Sequence, residues 1–209
     1  KPCQSLFKLS KMKQPDLENF VGIHNRKYCD GGQCIRLYKT FMKKKDPEAA
    51  NIVMGHNEED LLGLGTIFSL LAYKKLYDGE YHPKQCVILE QELKIVIELS
   101  AAAPVNVSCG NSDFYLSVNG YEARMLVHLK EGKLRQYYRN YKDYEFIPGE
   151  DTAMPKSITR YMDKSLKIAT TPQTCYTWFN CDEDFLNNEK KQMQYLTHTL
   201  PFFLDNLNK

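Results

Sequence analysis

The sequence predicts an α+β fold, with helices up to about residue 82 and then a small antiparallel β-meander with C-terminal helices. Three observations carry this. Apolar residues recur at helical spacing through Cys34, Ile35, Tyr38 and Met42, and again through Leu61, Leu64, Ile67, Phe68 and Leu71. From His82 the period falls to two, with Leu93, Ile95, Ile97 and Leu99 on one face of a strand. Asn119-Gly120 then gives a strong hairpin signal between two strand-like runs. Two domains are expected, 1–82 helical and 83–209 β-rich.

Bulk properties set the limits. The chain has 209 residues and a net charge of only +2, so any basic surface must be local. Seven cysteines, an odd number in no regular framework, read as reduced thiols and point to a cytoplasmic setting. No apolar run is long enough to cross a bilayer, so no membrane partner is expected. The chain opens at Lys1 rather than Met, which reads as a fragment.

In order, a short helix is expected over 15–21, with Pro15 in its first turn and Gly22 after its end. His24, Cys29 and Cys34 form no common zinc pattern. A helix follows over 32–44, its buried stripe formed by Cys34, Ile35, Tyr38 and Met42. Asp46-Pro47-Glu48 reads as a short helical turn. A last helix starts at Asn57, which caps Asp60, and runs to about residue 77, where Asp78-Gly79 ends it.

Beyond it, strands are expected over 91–99, 114–118 and 121–129, with Asn119-Gly120 as a hairpin tip and Glu131-Gly132 as a second turn into 133–138. Residues 155–169 read as a helix and 174–179 as a strand. A final helix over 187–206 is expected to break at Pro201.

The stretch Val53-Met54-Gly55-His56-Asn57-Glu58-Glu59-Asp60-Leu61-Leu62-Gly63-Leu64 holds the sharpest chemical signal. His56 and Asp60 are four apart and so lie within one helical turn of each other. Glycines 63 and 65 each lower helix propensity by about 1 kcal/mol against alanine, which suggests close packing on that face. One reading is an imidazole and a carboxylate that hold a metal and a water. The other is a capped amphipathic helix with a solvated acidic turn.

These residues, with Leu9-Ser10-Lys11-Met12-Lys13-Gln14-Pro15-Asp16-Leu17-Glu18-Asn19-Phe20-Val21-Gly22-Ile23 and Gly31-Gly32, resemble the YprB-type ribonuclease H-like proteins of bacteria, relatives of four-carboxylate exonucleases. Asn140-Tyr141-Lys142-Asp143-Tyr144, Ile147-Pro148-Gly149-Glu150-Asp151 and Cys175-Tyr176-Thr177 are similar to the downstream region of some members. The resemblance implies that residues 1–82 are the helical remainder of a ribonuclease H-like domain. It implies a hydrolase that acts on DNA or RNA with two Mg2+ or Mn2+ ions. Asp60 falls on the last acidic position, as a metal ligand, and His56 on the neighbouring base. The pattern's first acidic pair, an Asp-x-Glu on an opening strand, does not precede these helices; it would lie before Lys1. The chain is therefore expected to be inactive alone. The alternative is a non-catalytic module that binds nucleic acid or protein.

One further stretch bears on nucleic acid. Between Lys133 and Tyr144, cations interleave with tyrosines. A strand would put Lys133, Arg135 and Tyr137 on one face, with Arg139 and Lys142 beyond it. Cations neutralise phosphates and tyrosine rings stack on unpaired bases. Set against this is a charged sheet edge with its tyrosines packed inward.

Overall fold

A computed structural model describes residues 3–24, 26–28 and 30–206. In chain order the first elements are helices α1 (Gln4–Phe7), α2 (Gln14–Phe20), α3 (Gly31–Lys44), α4 (Pro47–Ile67) and α5 (Leu71–Asp78). Strands β1 (Tyr81–Leu89), β2 (Glu92–Gly110), β3 (Phe114–His128), β4 (Lys133–Tyr137), β5 (Tyr144–Ile147) and β6 (Thr152–Pro155) follow. The chain ends with α6 (Lys156–Thr159), β7 (Ile168–Ala169), β8 (Tyr176–Asn180), α7 (Glu183–Leu186) and α8 (Glu189–Asn206). The fold is α+β, helices first and antiparallel sheets after, as predicted. Among the described residues no helix is long and apolar enough to cross a membrane.

Two compact units are formed. One is Leu9–Leu71; the other joins Lys1–Lys8 to Ala72–Lys209. The division precedes the change of period because α5 packs with the strands: Tyr73 and Leu76 are buried, and the Tyr73 hydroxyl donates to the Val105 carbonyl.

In the unit Leu9–Leu71, α3 packs along α4 and α2 lies against α4. Asp30 caps α3 by accepting from the Gln33 amide at 2.9 Å. The start expected at Asn57 is corrected: α4 begins at Pro47, with Asp46 accepting from the Glu48 amide at 3.0 Å. Asp46-Pro47-Glu48 is itself a helix start, so the chain is already helical when it reaches 57–60. The buried stripes are corrected too. Cys34 is buried, but Ile35, Tyr38, Met42, Leu61, Leu64, Phe68 and Leu71 are all more than a third exposed. Helices of this kind bury one face against a second layer, and the described residues of this unit include no strand.

In the other unit β1, β2 and β3 form an antiparallel meander. The predicted face is buried: Leu93, Ile95 and Ile97 are fully covered, facing the level of Ala123, Met125 and Val127 on β3. The hairpin expected at Asn119-Gly120 is absent. β3 runs through both residues, and the turn from β2 lies at Asn111-Ser112-Asp113. There the Asn111 side chain accepts from the amides of Asp113 (2.9 Å) and Phe114 (3.2 Å). Gly120 keeps its left-handed φ of +54° opposite Ala103, where surplus residues on β2 shift the register. Glu131-Gly132 is a tight turn, with φ of +53° and +73° and paired Lys130–Lys133 backbone bonds.

β4 leaves the meander and pairs with β8. β5 lies between β6 and β7. The helix expected over 155–169 is only one turn, α6; Ile158, Tyr161 and Leu166 are exposed, so no apolar face holds a longer one. α8 continues through Pro201, because Leu200, Phe203 and Leu204 around the ring are buried; Phe203 stacks on Phe114 at 3.9 Å. Burial pushes the thiols of Cys3 and Cys86 up to about 12. Cys29 lies outside the described residues.

Candidate functional site

His56 and Asp60 meet within one turn of α4, His56 Nε2 standing 3.3 Å from Asp60 Oδ2. What joins them was not visible in the pattern. Arg26, from the loop after α2, reaches Asp60 Oδ1 with Nη2 at 2.6 Å. The same guanidinium clasps Glu18 of α2, Nε to Oε2 at 2.6 Å and Nη2 to Oε1 at 2.8 Å. Glu18 is only 2% exposed and also accepts from Gln14 Nε2 at 2.9 Å. The hydrogen bond from Arg26 holds the Glu18 carboxyl below the usual range, against the effect of burial. His56 Nδ1 is buried and has no hydrogen-bond partner among the described residues.

Of the two glycines whose propensity cost suggested close packing, Gly63 has a close neighbour. A Cβ on Gly63 would come within 1.9 Å of Glu18 Oε1, so only glycine lets α2 bring this carboxylate in. A Cβ on Gly55 would meet the Tyr28 ring at 2.2 Å. Gly65 faces open space. Glu59, next to Asp60, accepts from the backbone amides of Lys27 (2.8 Å) and Tyr28 (3.2 Å) and so ties the Arg26 loop to the helix.

As they stand, these residues do not fit a divalent ion. The positive charge between Glu18 and Asp60 is already the Arg26 guanidinium, and both Asp60 oxygens have partners. Among the described residues no three His, Cys, Asp or Glu side chains are grouped to hold a metal.

The second candidate set is dispersed. Lys133 is exposed, but Tyr137, expected on an open face, is 6% exposed and stacked on Phe202 at 3.7 Å. Arg135 lies between two rings, its guanidinium carbon 4.7 Å from the centroids of both Tyr176 and Trp178. Arg139 covers Tyr77 at 5.0 Å, donates to its hydroxyl and brings Nη2 to 3.9 Å from Asp205 Oδ2. Pairing with β8 and packing against α8 turn Tyr137 inward; Arg135 and Tyr137 still line one cavity, with Lys130 and Trp178, while Lys142 lines another. Lys142 is exposed and lines a separate cavity with Lys156, Lys164 and Lys167. Those three were missed because their stretch reads as a helix.

A family model of the RNase H superfamily matches residues 2–72, about a third of the chain. None of the curated proteins and none of the solved structures gives a match.

Proposed function

We propose that this chain is the late-motif, helical portion of a ribonuclease H-like nuclease of the YprB type, followed by an accessory β-rich domain, and that it does not cleave phosphodiesters by itself. The superfamily match over residues 2–72 supports the nuclease part of this reading, and the closure of Asp60 between Arg26 and His56 carries the inactivity. A carboxylate held by a guanidinium in a charge-assisted bond is not free to take a metal or to activate a water. The open apolar faces of α3 and α4 support the same view, since a sheet would cover them in a complete layered domain. Exonucleolytic hydrolysis with Mg2+ or Mn2+ would require Asp60 freed from Arg26 and further carboxylates grouped around it.

The test is incubation with end-labelled single- and double-stranded DNA and RNA in Mg2+ or Mn2+. The expected result is intact substrate. Cleavage that a chelator stops, and that Asp60→Asn abolishes, would overturn the proposal. A non-catalytic binding module is the second reading, favoured by the group of lysines around the Lys142 cavity.

A further inference from the structure

The small sheet β6-β5-β7 carries a cavity of about 550 Å3, of a size that accommodates a nucleotide-sized group. Four cations line it: Lys142 after β4, Lys156 at the start of α6, Lys164, and Lys167 just before β7. In a chain of net charge +2 this is a strong local concentration. The one acid among its described lining residues, Glu145, is already neutralised: Lys167 Nζ lies 2.9 Å from its carboxylate and the Thr159 hydroxyl donates to it. Among the described residues Lys142, Lys156 and Lys164 form no ion pair, and all three are exposed.

The wall beside them is fixed. The Thr170 hydroxyl bonds the carbonyls of Tyr141 and Tyr144, the latter at 2.9 Å, and so pins the turn that presents Lys142. Lys167 Nζ also donates to the Thr159 carbonyl at 2.6 Å, tying α6 to the far side. The half-buried rings of Tyr141 and Tyr144 line the same cavity.

From this arrangement we infer that the cavity is a binding site for single-stranded nucleic acid, with Lys142, Lys156 and Lys164 neutralising backbone phosphates and Tyr141 offering a stacking surface for a base. Unpaired lysines supply the sequence-independent part of such binding, and a nearby ring supplies a contact that every base can make. One face of the Tyr144 ring is already stacked on Tyr138 at 5.2 Å, which leaves Tyr141 as the stacking surface. The inference deepens the nucleic-acid part of the function proposed above and rests on it. It concerns binding in the β-rich unit, so its failure and that of the Asp60 reading are separable.

Fluorescence anisotropy with labelled oligo-dT and oligo-U tests it across a salt series. Three neutralised phosphates give a log–log slope of about −2, so wild-type affinity falls by about twentyfold between 50 and 200 mM NaCl. The Lys142→Gln/Lys156→Gln/Lys164→Gln variant loses most of that dependence. A charge-matched control, Lys43→Gln/Lys44→Gln/Lys45→Gln, keeps it. Tyr141→Leu weakens binding about fivefold or more at fixed salt. Thermal unfolding verifies that each variant is folded. Absence of wild-type binding at 50 mM salt, equal flattening in the control, or inorganic tripolyphosphate competing as well per phosphate as the oligonucleotide would each overturn the inference.

Discussion

Replacing Arg26 with glutamine removes the centre of the Glu18–Arg26–Asp60 cluster. Three charge-assisted hydrogen bonds are lost, at 2.6, 2.8 and 2.6 Å. Glu18, 2% exposed in the wild type, keeps only Gln14 and becomes a largely buried carboxylate without a counter-charge. Breaking a buried pair by removing one partner costs about 3–5 kcal/mol. Arg26 is 23% exposed and Asp60 33% exposed, so solvent screens part of the interaction, and Asp60 still faces His56. The expected loss at pH 7 is about 2–3 kcal/mol.

The sign of the pH dependence follows from Glu18, whose folded pKa is depressed, chiefly by the hydrogen bond from Arg26. Its contribution is complete above the unfolded value of about 4.3 and disappears as pH falls through the folded value. The gap between wild type and variant should therefore shrink in acid. The two units need not unfold together, so hydrogen exchange of peptides spanning 9–71, in increasing urea, is the right readout. Glu18→Gln/Arg26→Gln should be milder than Arg26→Gln alone, because no buried charge is left behind. A loss below about 0.5 kcal/mol at pH 7, or one undiminished near pH 3, would refute the reasoning.

Two further predictions concern single glycines. Gly65→Ala, facing open space inside α4, should stabilise the helical unit by up to about 1 kcal/mol, whereas Gly63→Ala should destabilise it by forcing Glu18 outward; denaturant unfolding of both variants measures the opposite signs. Gly120→Val puts a β-branched residue at φ +54° within β3 and should cost the β-rich unit about 1–2 kcal/mol, with the turn at Asn111 unchanged; an unshifted melting temperature would count against it.

Local chemistry made part of this protein legible from sequence. Alternation at Leu93, Ile95, Ile97 and Leu99 specified a strand and its buried face, because side chains alternate sides every residue. The four-residue spacing of His56 and Asp60 placed them together on one helix whatever surrounds it. Of the costly glycines 63 and 65, Gly63 has the close neighbour that its cost announced and Gly65 has none. Asn-Gly read as a hairpin tip; Gly120 does take a left-handed φ, but Asn119 does not, and the conformation serves a register shift instead.

Only the tertiary structure decided what each pattern was used for. The periodic leucines of α4 read as core, yet periodicity says which residues share a face and not whether anything covers it. Arg26 is 34 residues from Asp60, and nothing in its neighbours signals that it will close that carboxylate. The interleaved cations and tyrosines after Lys133 looked like one surface. Pairing of β4 with β8 buried Tyr137 instead, while chain reversals brought Lys142, Lys156, Lys164 and Lys167 to one cavity. Helix period, strand alternation and turn chemistry act over a few residues and are written locally. Ion pairs and shared cavities join residues far apart along the chain, so they exist only once the chain has closed on itself.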